Sequence, residues 1–268
     1  MARVSSGESV LGRAVRILEA FTSEDPVLRV SEIARRADLH VATASRLVAE
    51  LVTYGLLTRD PQGGLRVGVR LWELAARASP ALSLREAAMP LMEDLHAVAG
   101  HHTQLGVLDG TEVLFIERLS APRAVINLTQ IAGRLSLHAS SSGLVLLAYA
   151  PRPLQQRVLS QPLKPYTPST IVSPAQLREV LAGIRRQGFV LCAGHIHEDA
   201  TGIAVPVRDG SGDVVAALSV IVPNDATAHA QIPALMAASR GVTRRLPGPA
   251  AQRLGNLPET ISHSVRRP

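Results

Sequence analysis

Cys192, His195 and His197 fall within six residues of one another in the run "LCAGHIH". Cysteine and histidine are good zinc ligands, but a closed site takes four of them, and no second paired cluster occurs in the sequence. The simpler reading is a buried cysteine with two loop histidines beside a pocket, and no metal is assigned. His138 stands just before Ser140, Ser141 and Ser142, which suggests a base beside a nucleophile. No third partner is marked, and there is no Gly-x-Ser-x-Gly elbow, paired metal motif or phosphate-binding glycine loop. The aspartates of "RDGSGD" suggest calcium, yet a hairpin turn accounts for them better. No catalytic residue and no cofactor is therefore expected, and the chain does not read as an enzyme.

A third group does a different kind of chemistry. Thr43, Ser45 and Arg46 lie in "VATASRLVAELVT", residues 41–53, between apolar residues at helical spacing. Hydroxyls donate to phosphates or bases, and the arginine fork matches guanine or phosphate. Placing them requires a helix that buries Ala44, Leu47, Val48 and Leu51 and turns Val41, Ala42, Thr43, Ser45, Arg46 and Ala49 outward. A shorter helix precedes it, capped by Ser31 and with Ile33, Ala34 and Ala37 inward. Before that, a helix starts after Ser9 and carries Leu11, Ala14, Val15, Leu18 and Phe21 on one face. Gly55 stops the third helix. "LLTRD" and "LRVGV" then form two strands around Pro61-Gln62-Gly63-Gly64, with Arg59 and Arg66 flanking the tip. The sum is a winged helix-turn-helix, in which the second helix of the pair enters the major groove of double-stranded DNA. Two helices packed in an ordinary core remain the alternative.

The 268 residues are enough for about two domains. "VRLWELAARA" reads as an amphipathic linker helix ending before Ser79-Pro80. "LREAAMPLMEDLHAVAG" is a longer helix in which Pro90 predicts a kink or break. Strands follow: a hairpin turning at Asp109-Gly110, then "AVINLTQIAGRLSLHA" continuing the sheet. "SSSGLVLLAYA" is a helix, "SPAQLREVLAGIRRQG" a helix closed by Gly188, "GIAVPVRDGSGDVVAALSVIVP" a second hairpin, and "IPALMAASRGVTRRL" a last helix. The boundaries run 1–8 as a disordered start, 9–68 as the winged domain, 69–80 as the linker helix, 81–247 as a second domain and 248–268 as a disordered tail.

A hydrophobic content of 46% fits two folded cores, and no apolar run approaches a membrane span. One cysteine excludes an internal disulfide and fits a reducing cytoplasm. The net charge of +6 permits an anionic partner. Because Lys164 is the single lysine among 28 basic residues, the arginine bias reads as genome composition rather than affinity for phosphate.

The phrases "SVLGRAVRILEAF", "SEIARRADL", "ATASRLVAELVTYGLLTRDPQGGLRVGVRLWELA", "GRLSLHASSSGLVLLA", "RRQGFVL" and "GIAVPVRDGSGDVVAALSV", in this order, resemble the IclR family of bacterial transcriptional regulators from about residue 9 to 247. The resemblance implies an α+β chain with an N-terminal winged helix-turn-helix, a linker helix and a C-terminal GAF-like α/β effector-binding domain. It also implies a homo-oligomer, dimer or dimer of dimers, that binds operator DNA and a small-molecule effector and regulates a metabolic operon; it does not imply the direction, for which repression is the expectation, with a ligand-independent regulator the alternative. The first helix and the helix around Leu71, Trp72, Leu74 and Ala75 are the expected subunit contact, with Trp72 as a domain-core anchor the alternative.

By position, the resemblance makes Gly133, Leu135, His138, Ala139 and Ser140 line the effector site. Ser141 and Arg134 join them because a helix N-terminus near Ser141 has free N–H groups for a carboxylate. Cys192, Gly202, Ser219 and Ile221 complete the set. Several positions depart from the family's habit. Asp38 replaces a turn glycine, and His40, Val41 and Ala42 stand where proline, lysine and serine are common. Leu144 replaces a lysine, Cys192 an aspartate, Gly202 a cysteine, Asp199 a glycine and Ile221 a serine. The departures in the second domain predict an effector larger or more hydrophobic than a short acid, with one anionic or carbonyl group at the Ser140–Ser142 helix start; that Ile221 merely packs in the sheet is the equal alternative. Those in the reading head predict an operator of its own, with Val41 or Ala42 against a thymine methyl.

Overall fold

The computed structural model describes residues 8–22, 24–122, 124–125 and 131–246. The expectations for the tail from 248, for nearly all of the 1–8 segment and for a sheet strand over 126–130 lie outside these residues. The chain divides into two compact units, residues 1–79 and 80–268.

In the first unit, α1 (Val10–Glu19) starts at Ser9, whose hydroxyl accepts from the Gly12 N–H at 3.0 Å. The second helix, α2 (Val30–Arg36), corrects the reading of Ser31 as a cap. Arg29 holds the cap position, and its N–H is satisfied by the Glu32 carboxylate at 3.1 Å, so Ser31 is an exposed residue of the first turn. Asp38 takes φ 47° in the tight turn before α3 (Val41–Thr53), a conformation aspartate tolerates. After Gly55, β1 (Leu57–Arg59) pairs antiparallel with β2 (Leu65–Val67) as a wing, with Leu57 and Leu65 buried and the other strand residues exposed. Ile17, Ile33, Leu47, Val48 and Leu51 join them in one core. Helix α4 (Val69–Ala78) closes the unit, and its Trp72 is 66% exposed, so it anchors no core there.

The second unit starts with α5 (Pro80–Ala99), which runs through Pro90 unbroken. Pro90 is exposed, while Leu84, Ala88, Met92, Leu95 and Ala99 on the other side are buried, so packing on both sides of the proline outweighs the lost hydrogen bond. Then come β3 (His102–Asp109), β4 (Glu112–Ser120), β5 (Arg134–Ser136), α6 (Ser141–Tyr149), α7 (Arg152–Ser160), α8 (Pro174–Gln187), β6 (Val190–Ala193), β7 (Ala200–Arg208), β8 (Val214–Pro223), a 3-10 turn (Ala228–Gln231) and α9 (Ile232–Arg245). The strands form one antiparallel sheet in the order β5-β4-β3-β8-β7-β6.

Alternation along the strands gives this sheet two buried faces. Leu105, Val107, Ile203, Val205, Leu218 and Val220 pack under α5 and α9. Phe115, Ala204, Ala217 and Val190 pack under α6 and α8 on the other face. The Asp209 carboxylate accepts from the Ser211 and Asp213 N–H groups in the β7–β8 turn, so it is occupied by turn geometry. No helix among the described residues is long and apolar enough to cross a membrane.

Candidate functional site

Two helix N-termini carry the chemistry, one in each unit. Helix α3 begins at His40, whose ring nitrogen accepts from the Ala42 N–H at 3.4 Å, a long and weak cap. Ala44, Leu47, Val48 and Leu51 face the core, which leaves Val41, Ala42, Ser45 and Arg46 exposed and Thr43 half-buried. Arg46 is held by Glu50 one turn on, at 2.9 Å, on a face where both side chains meet water. On the wing, Asp60 orders the turn by accepting from the Gln62 and Gly64 N–H groups. Arg59 and Arg66 project exposed from its two strands, with Arg66 3.9 Å from Asp60. The face thus offers hydroxyls, two methyl-bearing side chains and three guanidinium groups that any ligand reaches from solvent.

Helix α6 begins inside the second unit. The Ser140 hydroxyl accepts from the Gly143 N–H at 3.1 Å, and the Ser140 carbonyl takes the Leu144 N–H at 2.9 Å. The N–H groups of Ser141 and Ser142 have no carbonyl one turn earlier within the helix, so a ligand or water must satisfy them. Residues of this helix start line a cavity of about 480 Å³ of empty space, its solvent mouth included. Leu135, Ala139, Ser140, Ser141, Cys192, Gly202 and Ile221 line it. Cys192, Gly202 and Ile221 sit side by side across β6, β7 and β8. A Cβ at 202 would come within 2.8 Å of the Ser141 hydroxyl, so the glycine lets α6 start directly against the sheet.

The remaining expected residues do not line the cavity. Arg134 is exposed and paired with Asp109, while the next residue of β5, Leu135, lines the cavity. Gly133 contributes its carbonyl to the Phe115 N–H at 3.0 Å. The His138 ring is buried and bonded to the Lys164 carbonyl at 3.0 Å. Ser219 lies beneath the lining, where its hydroxyl accepts from that of Ser142 at 2.9 Å.

Ser142, His195 and His197 also line the cavity, together with Gln104, Phe115, Ile196 and Ala200, which the sequence does not single out. Gln104 and Phe115 come from β3 and β4, where they read as ordinary strand residues. The sequence reading of His195 and His197 as loop histidines beside a pocket agrees with their place in the lining. Among the described residues no group of three or more His, Cys, Asp and Glu is placed to hold a metal ion. Burial pushes the Cys192 thiol up to about 12, so it lies in the wall as a neutral, unreactive group. Burial also lowers the His195 pKa, partly opposed by the Ala139 carbonyl, which favours a neutral ring. The lining contains no Asp, Glu, Lys or Arg.

Comparison with known proteins agrees with this architecture. The family profile described as "Bacterial transcriptional regulator IclR C-terminal" matches residues 77–246, and the "IclR helix-turn-helix domain" matches residues 10–61. The HTH-type transcriptional regulator XynR of Escherichia coli K12 is 31% identical over 78% of this chain and 83% of its own. BhcR of Paracoccus denitrificans is 31% identical over 88% and 86%. Among solved structures, an IclR homolog from Microbacterium hydrocarbonoxydans complexed with 4-hydroxybenzoate superposes with a TM-score of 0.85 at 47% identity, covering 89% of this chain and 99% of that one. These matches span both units, and the proteins they identify are regulators rather than enzymes: the chain is a DNA-binding transcriptional regulator and belongs to the IclR family.

Proposed function

We propose that the chain represses a metabolic operon and that a monocyclic aromatic carboxylate, bound in the second unit, controls its affinity for the operator. The observation that carries this reading is the α6 N-terminus opening into an apolar cavity with no charged side chain in its lining. Phe115, Leu135, Ile196 and Ile221 offer walls for a ring, and the Ser141 and Ser142 N–H groups together with the helix dipole offer a place for its carboxylate. The Microbacterium relative is complexed with 4-hydroxybenzoate, which supports the same class of effector here. Repression is the sign named for AllR of Escherichia coli K12, 27% identical over 81% of each chain.

On the DNA side, Val41, Ala42, Thr43, Ser45 and Arg46 read base edges, while Ser31, Arg59 and Arg66 hold phosphates. Two copies bind together, associating through the exposed apolar faces of α1 (Val10, Leu11, Val15) and α4 (Val69, Trp72, Leu74). A gel shift on DNA upstream of the chain's own gene tests the reading. It is supported if benzoate or 4-hydroxybenzoate releases a competitor-resistant complex while glyoxylate does not. Specific binding that ignores every aromatic acid would point to a regulator answering no such ligand.

A further inference from the structure

Several acids of the first unit serve its own fold. The Glu32 carboxylate accepts from the Arg29 N–H at the start of α2, and Asp60 orders the wing turn through the Gln62 and Gly64 N–H groups. Asp25 holds the Arg36 guanidinium, whose other nitrogen donates to the Ala20 carbonyl and so ties α2 to the end of α1. Glu50 has no such task. Among the described residues its carboxylate has one partner, the Arg46 guanidinium at 2.9 Å, and both side chains are about half exposed.

Helix stability does not call for this acid either. Glu50 opens the last turn of α3, where a negative charge opposes the helix dipole. An arginine followed by a glutamate four residues on is also the weaker order for a helical ion pair. By spacing, Glu50 shares a face with Arg46 and Thr43, the face assigned above to base edges. It therefore places a carboxylate where the helix meets a polyanion.

The cost of that carboxylate depends on the DNA. On a non-operator duplex an unpaired Arg46 would gain by clamping any phosphate within reach. With Glu50 beside it, the same contact breaks the ion pair and brings a negative charge up to the phosphates. On the right sequence, bidentate bonds from Arg46 to a guanine offset the loss. Penalising the wrong partner more than the right one is a route to specificity.

We infer that Glu50 is a positioning residue that sets operator specificity: it holds Arg46 away from the phosphates of non-operator DNA and leaves it available to a base. The inference rests on the base-reading assignment of α3 made above and adds the acid that makes the arginine selective.

The test measures binding of the full-length protein to two duplexes across a range of salt. One is the sequence that the wild type selects from a random library, the other a scramble of it. Wild type is compared with Glu50→Gln, Arg46→Ala, the two combined, and Glu19→Gln, which removes an exposed carboxylate from α1 instead. Glu50→Gln tightens the scrambled duplex about tenfold and the selected one only a few-fold, and it steepens the salt dependence on the scramble by about one phosphate contact. Both changes largely vanish when Arg46 is alanine, and Glu19→Gln produces neither. Urea midpoints near that of the wild type are the folding control for each variant. Equal gains on both duplexes overturn the inference. So does the same loss of discrimination from Glu19→Gln, which would reduce it to net charge, or an undiminished effect beside Arg46→Ala. These results leave base reading by α3 in place, whereas a wild type that selects no sequence overturns both.

Discussion

The N-termini of α3 and α6 are the same backbone device in opposite surroundings. Each helix begins with a side chain accepting one of its orphan N–H groups, His40 at 3.4 Å in one and Ser140 at 3.1 Å in the other. The start of α3 lies in water, where a single contact to an anion is weak and screened by salt, so recognition must sum over a face and a wing. The start of α6 is buried and lines a cavity with Phe115, Leu135 and Ile221, where an unmet donor is costly, and under the proposed function it takes one anion without any basic side chain. Under the proposed function, exposure is what fits one helix end to a long polyanion and the other to a single small acid.

That contrast can be broken most severely at Gly202. Gly202→Val drives a side chain into the Ser141 hydroxyl and the cavity, and calorimetry should show effector binding lost by more than about a hundredfold, as overpacking at a site this close costs several kcal/mol. Operator binding without effector should be unchanged, and a parallel loss of DNA affinity would argue against two separable sites. Next in size, Arg46→Ala should weaken operator binding by about 1–3 kcal/mol in a gel shift and leave effector titrations alone. Glu50→Gln, which frees Arg46 and removes an anion from the face, should tighten the operator complex a few-fold. A smaller effect separates the caps themselves. Ser140→Ala should lower stability by about 1 kcal/mol in urea, whereas His40→Ala should cost only a few tenths, its bond being long and exposed.

The pH dependence follows from the second unit alone. Burial lowers the pKa values of His102 and His195 below the ordinary 6.5. Below that value the unfolded chain takes up protons that the folded chain refuses, so stability falls as pH drops from 6.5 towards the depressed folded values and is flat above it on this account. Urea midpoints between pH 7.5 and 5 should trace this, with a shallower decline in His195→Asn.

Elements with local signals were legible in the sequence. The Ser9 and Gly188 boundaries, the wing and the two long hairpins follow from caps, turn residues and apolar periodicity. Two elements were not read: α7, whose apolar face is short, and β6, hidden in a stretch noticed for its cysteine and histidines. Pro90 does not break α5, because packing along the helix outweighs the lost hydrogen bond, and Ser31 is displaced from the cap by Arg29 with the Glu32 side chain. The cavity was half legible. Residues near the α6 entrance are found from sequence because a helix start announces itself. Gln104 and Phe115 are brought in by register across β3 and β4, and alternation alone does not say which buried strand residue faces a void. Arg134 shows the reverse error, a charged residue one position away from the inward-facing Leu135.

The most direct measurement compares benzoate with benzamide, of nearly the same shape but uncharged, by calorimetry on the wild-type protein. If the α6 N-terminus is the anion site, benzoate binds at least about tenfold more tightly although no basic side chain lines the cavity. Equal or tighter binding of benzamide would contradict the account, leaving the cavity apolar and the helix end without its assigned role.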